Sequence, residues 1–190
     1  MIGYMVLWAV STSWAQHGAL ATQLAEQLGL CSTQKKQPGH FNLDFPCNQC
    51  EITLIPLSPG TPPGQMFLME VQSPGHCGSG GCTSTVYRKY GESYQEVLNF
   101  LGFFEKTLPR QGSSAPDIIF LHLEYPRHDY NQNGSLDHAA VRAQYRWDAS
   151  QATYVLTDIL SVEVGGKKIA LAAWRKVLLQ EYRLASPWVF

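Results

Sequence analysis

The sequence predicts an α+β fold, a mostly antiparallel sheet with one helix near each end of the chain. Apolar residues recur at helical spacing near the N-terminus and again near the C-terminus. Between these segments, short apolar or alternating runs are separated by turns rich in Gly and Pro. The chain has 190 residues, 45% of them hydrophobic, which is enough for one core of ordinary size. We therefore expect a single domain over residues 16–190.

The N-terminal helix is predicted from Leu20, Leu24 and Leu28, which lie four residues apart, and Gly29 is placed to end it. A second stripe near the C-terminus predicts the other helix. Its apolar residues are Ile169, Ala173, Trp174, Val177, Leu178 and Tyr182.

Seven segments between the helices are predicted to be strands. The clearest is 141–148, where apolar and polar residues alternate, and it is expected to form a hairpin with 154–160. The almost wholly apolar segment 117–124 predicts a central strand covered on both faces, with His122 as a hydrogen-bonded core histidine. Segment 94–104 also fits a helix, and strand is preferred. The remaining predicted strands cover residues 52–57, 66–72 and 83–90.

The first residues have the features of an export signal. An apolar run over residues 4–10 precedes Ser13-Trp14-Ala15, the small-x-small pattern of a signal peptidase site. We expect residues 1–15 to be a signal peptide and the protein to be periplasmic or secreted. No Lys or Arg precedes the run, so a buried N-terminal strand or helix is the alternative. The run is shorter than the roughly 20 apolar residues that span a bilayer, so no transmembrane segment is predicted after signal removal.

The charge composition argues against nucleic acid as a partner. Fourteen basic residues face 15 acidic ones, a net charge of −1. A chain with this balance lacks the excess of positive charge that attracts phosphate backbones or anionic lipids.

Five cysteines are the most distinctive chemical feature, and their odd number leaves at least one unpaired. In an exported protein they are expected to form disulfides. The simplest disulfide joins Cys77 and Cys82. Cys47 and Cys50 are the second expected disulfide cysteines, with pairing between the two clusters or to Cys31 left open. The alternative is a zinc-stabilised cytosolic module, in which Cys47-x-x-Cys50 and Cys77-x4-Cys82 supply thiolate ligands.

A thiol nucleophile is the enzyme alternative, with Cys82 attacking and His76 as its base. Ser79-Gly80-Gly81-Cys82 resembles the Ser-His-Gly-Cys signature of the L,D-transpeptidase (YkuD-type) family, which implies a cysteine-dependent enzyme acting on peptidoglycan. Gly80 stands where that family has histidine, and no arginine closely follows Cys82.

A loop at residues 129–137 has the spacing of a calcium-binding loop. Oxygen-bearing side chains stand at its positions 1, 3, 5 and 9, with Gly134 at position 6. These candidate ligands are Asp129, Asn131, Asn133 and Asp137. Position 12 is Ala140 rather than a bidentate Glu, so any site would be weak. A turn rich in Asx residues and Gly is the alternative.

Two motifs together resemble a known group of proteins. The turn from Cys77 to Cys82 reads Cys-Gly-Ser-Gly-Gly-Cys, and Tyr145-Arg146-Trp147-Asp148 is followed by Tyr154. This order is similar to uncharacterised secreted bacterial domains with the same turn and a later Tyr-Arg-Trp-Asp-Gly-x-x-Tyr hairpin. Ala149 replaces the hairpin Gly. The resemblance implies an exported β-rich domain and supplies no activity.

The leading hypothesis is therefore an exported, non-enzymatic bacterial envelope domain that binds a protein partner, in the manner of an inhibitor or immunity protein. It depends on the export signal, the clustered cysteines and the lack of a complete set of catalytic residues in the sequence.

Overall fold

The computed structural model describes residues 18–32, 45–58, 64–73, 76–78 and 81–184. Within them, helix α1 covers residues 18–27 and helix α2 covers Leu171–Leu184. A short 3-10 helix, Cys47–Gln49, precedes the sheet. The strands are β1 Glu51–Pro56, β2 Met66–Gln72, β3 Cys77–Gly78, β4 Gly81–Tyr90, β5 Ser93–Leu108, β6 Asp117–His128, β7 Asp137–Asp148, β8 Thr153–Val164 and β9 Lys167–Lys168.

The strands form an antiparallel meander in which neighbours in sequence are neighbours in space. Their order is β1-β2-β4-β5-β6-β7-β8-β9, with β3 pairing beside β4. Strand β5 divides this sheet, because its residues 93–102 pair with β4 and its residues 103–108 pair with β6. We call β1, β2, β3, β4 and the first part of β5 the N-terminal half of the sheet. The rest of β5 with β6 to β9 is the C-terminal half.

Two glycines allow β5 to pass from one half to the other. A Cβ on Gly81 would lie 2.7 Å from the Cα of Gly102, and a Cβ on Gly102 would lie 2.6 Å from the Leu121 carbonyl oxygen. Both distances are shorter than any real contact of a Cβ atom, so any larger residue would push β4, β5 and β6 apart. Glycine is required here for close approach of the backbones.

The buried residues form two clusters on opposite faces of the N-terminal half. The larger cluster includes Leu68, Phe120 and, from α2, Leu178, each with no measurable exposure. The smaller cluster lies under α1 and includes Leu24 and Phe67. Because β2 contributes Leu68 to one cluster and Phe67 to the other, it is buried on both faces, which explains why apolar residues are consecutive over 66–69.

The predicted arrangement of elements is confirmed: the sheet is mostly antiparallel, with a helix near each end of the described chain. The sheet dominates, so the fold is closer to all-β than an even mixture. The predicted hairpin is present, since β7 pairs with β8 through Asp148 and Thr153. Segment 94–104 is a strand, longer than predicted. The short strands β3 and β9 were not predicted, because two residues carry no periodicity. The predicted signal peptide lies outside the described residues.

Candidate functional site

A cavity of about 580 Å³ lies between the first part of β5 and the start of β8. One wall is residues 97–101 of β5, and the other is residues 153–157 of β8 together with Gln151. His122 and Tyr145 of the C-terminal half and Tyr182 of α2 complete the lining. The volume is in the range that holds a small organic molecule.

The cavity exists because two neighbouring strands do not pair. Residues 93–102 of β5 have a ladder only with β4, and residues 153–162 of β8 only with β7, among the described strands. One direct link joins the two walls: the Thr153 hydroxyl donates to the Val97 carbonyl at 3.0 Å. The gap between these two unpaired edges is the cavity.

A histidine–tyrosine pair forms part of the cavity lining. His122 Nδ1 lies 2.9 Å from the Leu101 carbonyl oxygen, and His122 Nε2 lies 2.9 Å from the Tyr145 hydroxyl. Burial lowers the pKa of His122 to about 4, so the ring is neutral near pH 7. A carbonyl oxygen can only accept, so the single ring proton is on Nδ1, and Nε2 accepts the proton of Tyr145.

The close approach at Gly102 positions this histidine. A Cβ on Gly102 would lie 3.3 Å from His122 Nδ1 and would collide with the Leu121 carbonyl. The Leu101 carbonyl can therefore come within hydrogen-bonding distance of the imidazole only because residue 102 has no side chain. The glycine that lets the strand cross also orients the histidine.

Helix α2 is fixed over the cavity by a buried carboxylate. The Tyr182 hydroxyl donates to Glu124 at 2.7 Å, and the Tyr130 hydroxyl donates to the other oxygen of the same carboxylate. Arg127 lies 3.5 Å from Glu124. Burial, with the adjacent Glu124 carboxylate, raises the pKa of Tyr182 and of Tyr130, so both phenols keep their protons. Tyr182 is held in place by this network.

The lining is uncharged. It consists of aliphatic and aromatic side chains, threonine hydroxyls, the carboxamides of Asn99 and Gln151, and the neutral His122. Burial raises the pKa of Tyr145 and of Tyr154, so these phenols are also neutral. Because an unpaired charge is costly to desolvate, such a lining favours an uncharged ligand.

The predicted disulfide between Cys77 and Cys82 is present. The assignment of Cys50 to a disulfide is wrong: Cys47 pairs with Cys31, and Cys50 is a free cysteine. A parallel bridge between Ser32 and Pro46 brings Cys31 beside Cys47. Cys50 ends the same 3-10 turn that begins at Cys47, and its thiol points to the Pro46 carbonyl at 3.5 Å.

These disulfides bear on both cysteine-based alternatives. Cys82 has no thiol while it is bonded to Cys77, so the nucleophile hypothesis would require prior reduction. His76 instead faces the Ser73 hydroxyl, 2.8 Å from its Nδ1, and burial lowers its pKa. Three of the four thiols proposed for zinc are in disulfides. Among the described residues, no group of three or more His, Cys, Asp or Glu side chains is placed to hold a metal ion.

The predicted calcium loop is closed by its own hydrogen bonds. Asp129 accepts from the backbone N–H groups of Asn133 and Gly134 at 2.9 and 2.7 Å. Asp137 accepts from the backbone and side chain of Asn131 at 3.0 and 3.1 Å. A cation would have to compete with these bonds. Calcium binding stays a prediction.

Sequence reasoning identified His122 as hydrogen-bonded but missed Tyr145 and Tyr182, which were assigned only to apolar faces. The available signal was the residue type, since a buried tyrosine carries a hydroxyl that needs a partner. The walls of the cavity were not predictable, because they depend on the path of β5 after Gly102.

No family model, curated protein or solved structure matches the chain. In the part of the chain that is described, neither helix has the length and apolar content needed to cross a membrane. The two disulfides fit a protein of an oxidising, extracellular environment.

Proposed function

We propose that the protein is an exported, non-enzymatic binding domain and that the cavity between β5 and β8 is its binding site. The observation that carries this proposal is the cavity itself. It has about 580 Å³ of space, a mainly apolar lining and a few polar groups held in fixed positions. These are the properties of small-molecule binding sites in general.

The chemistry of the lining supports binding rather than catalysis. Both nitrogens of His122 are already engaged, one by the Leu101 carbonyl and the other by Tyr145. The pKa of Tyr145 is raised by burial, which makes it a poor acid and a poor nucleophile at neutral pH. The cysteine proposed as a nucleophile is in a disulfide.

Export to the periplasm or the medium is supported by the two disulfides and by the signal-like sequence of residues 1–15. Such a protein meets both small molecules and other envelope proteins.

A protein partner, the expectation from the sequence, is the second candidate occupant. The unpaired edges of β5 and β8 favour it, since an extended segment can add to a free strand edge and place one side chain in an adjacent pocket. In this case the cavity would hold an apolar side chain.

The proposal is tested with diphenylhexatriene, an uncharged hydrocarbon that fluoresces when it enters an apolar site. We expect saturable binding to the wild-type protein. Leu98→Trp should abolish it, because Leu98 lines the cavity and is half-buried. Leu123→Trp is the matched control, since Leu123 is 38% exposed and does not line the cavity.

Equal binding by Leu98→Trp and wild type, with both folded by circular dichroism, would place the site elsewhere. An absence of saturable binding by the wild-type protein would reject the cavity as a small-molecule site.

The protein-partner candidate is tested by photocrosslinking in the envelope. A photoreactive side chain at Gln151, on the exposed part of the cavity lining, should give one defined adduct. The same group at Asn131, in the exposed loop after β6, is the control. An adduct that persists in Leu98→Trp would count against the cavity as the point of contact.

A further inference from the structure

All five hydroxyl groups in the cavity lining donate their protons within the protein. Thr153 donates to the Val97 carbonyl at 3.0 Å, and Thr157 donates to the Gln144 carbonyl at 3.2 Å. Tyr145 donates to His122, and Tyr154 donates to the Pro116 carbonyl. Tyr182 donates to Glu124. Each oxygen still has a lone pair that can accept.

The direction of the Tyr145 hydrogen bond is fixed by its histidine. The Leu101 carbonyl requires a proton on His122 Nδ1, and the neutral ring then has none on Nε2. Tyr145 must therefore donate to Nε2 and can only accept from a ligand. A chain of hydrogen bonds through Tyr145 and His122 to Leu101 strengthens each member, so the Tyr145 oxygen is a favourable acceptor.

The side chains of the same lining disfavour charged ligands. It contains no Lys, Arg, Asp or Glu side chain. Among the lining side chains, the carboxamides of Asn99 and Gln151 are the remaining groups able to donate, and Gln151 already donates to Asp148 at 3.0 Å in an exposed turn. The unpaired edges of β5 and β8 add backbone N–H groups, so an acceptor on a ligand can also find a donor.

We propose that the cavity takes an uncharged, mainly apolar molecule whose hydroxyl group donates a hydrogen bond to the Tyr145 oxygen. This inference rests on the proposed function, because it assumes that the cavity is the binding site. The ligand class is therefore that of long-chain or polycyclic alcohols and phenols rather than fatty acids or amines.

The test uses displacement of diphenylhexatriene by decanol, decyl methyl ether and decanoate. Decanol should displace the probe roughly five to ten times more effectively than the ether, which has no proton to donate, after correction for transfer out of water. Decanoate should be weaker than decanol by more than about tenfold, since its charge finds no partner.

The decisive quantity is the ratio of decanol to ether affinity in the Tyr145→Phe variant. We expect this ratio to fall to about one, because the acceptor is gone. Tyr154→Phe is the matched control. Its hydroxyl also borders the cavity but donates to the Pro116 carbonyl and has no hydrogen-bonded chain like that from His122 to Leu101 behind it, so it is the weaker acceptor and the ratio should stay at the wild-type value.

The two proposals fail in different ways. If diphenylhexatriene does not bind, the cavity is not the site and both are overturned. If it binds but the ratio is unchanged in Tyr145→Phe, or if only Tyr154→Phe changes it, the ligand class is wrong and the binding site stands. If Tyr145→Phe does not fold, equal displacement of the probe from wild type by decanol and decyl methyl ether would overturn the ligand class.

Discussion

Both disulfides lie in or beside the N-terminal half of the sheet, whereas the C-terminal half is held by packed aromatic rings and hydrogen-bonded tyrosines. Cys31–Cys47 joins the end of α1 to the start of the sheet, and Cys77–Cys82 joins β3 to β4. In the larger cluster, Phe100 stacks on Phe120 with ring centroids 4.2 Å apart. Aromatic packing occurs in both regions, since Phe67 stacks on Tyr87 in the N-terminal half, so the disulfides are what distinguish the two.

The difference follows from the sizes of the two clusters. Among the described residues, the smaller cluster has 8 buried members and the larger has 19, so the smaller removes less apolar surface from water. Covalent links compensate for a small core by limiting the freedom of the unfolded chain. The cavity is built next to the larger core, where packing and hydrogen bonds hold the walls.

The largest effect on stability is expected from replacing one fully buried phenylalanine in each cluster, and the pair of variants tests whether the clusters are independent. Phe120→Ala and Phe67→Ala should each lower the free energy of unfolding by ~3–5 kcal/mol. Only Phe120→Ala should also weaken binding of diphenylhexatriene, because its partner Phe100 lines the cavity. Urea denaturation and probe titration measure the two effects. Loss of binding in Phe67→Ala would show that the clusters are not independent.

The next largest loss of stability is expected from removing the disulfides. Removing Cys31–Cys47, which closes a separation of 16 residues, should lower the free energy of unfolding by ~3 kcal/mol. Removing Cys77–Cys82, with a separation of 5, should lower it by ~2 kcal/mol. Paired Cys→Ala variants and urea denaturation measure both, and neither should change probe binding.

The state of the same cysteines distinguishes the disulfide-bonded binding domain from the thiol enzyme and from the zinc-stabilised module. When native protein is treated with an alkylating reagent, its intact mass should increase by one equivalent, because Cys50 is a free cysteine. Alkylation of Cys82 without denaturant would favour the thiol enzyme. Stoichiometric zinc in protein made under reducing conditions would favour the metal module.

A smaller effect is expected from pH, through His122. Its pKa falls from 6.5 to about 4 on folding because the ring is buried. The unfolded state therefore binds more protons between these values, so stability is lost as pH falls from about 6.5 toward about 4. The loss should be about 2 kcal/mol, reduced from the full difference because His122 lines the open cavity, where solvent lowers the cost of charging the ring. His122→Gln cannot titrate, and a wild-type pH slope in that variant would assign the effect to other groups.

The smallest expected effect concerns the loop after β6. Asp129→Ala removes the acceptor of two backbone N–H groups and should lower the free energy of unfolding by ~1 kcal/mol. If the loop also binds calcium, millimolar Ca²⁺ should raise the Tm of the wild-type protein and leave that of Asp129→Ala unchanged. An identical shift in both would exclude the loop as the calcium site.

Local patterns predicted most of the fold. The alternation in 141–148 and the apolar run at 117–124 each reflect the burial of single strands, and both segments are strands in the structure. The change of β5 from pairing with β4 to pairing with β6 was not predictable, because Gly102 acts through distant partners, Gly81 and Leu121. A periodic pattern in one segment contains no information about what lies across from it.

The candidate site was less predictable than the fold for the same reason. His122 and Tyr145 are 23 residues apart in sequence and meet through the pairing of β6 with β7. Cys31 and Cys47 likewise meet through a bridge outside the main sheet. Sequence supplied the residue types, and the tertiary structure supplied their partners.

The meander order has a consequence for how the chain folds. Each strand pairs with one that has just preceded it, so the ladders close short loops and can form in order from the N-terminus. The cavity is the exception, because Val97 and Thr153 on its two walls are separated by 56 residues. In a chain that emerges N-terminus first, the binding site is thus completed only when the last hairpin and α2 arrive, and a truncated or stalled chain has a sheet but no pocket.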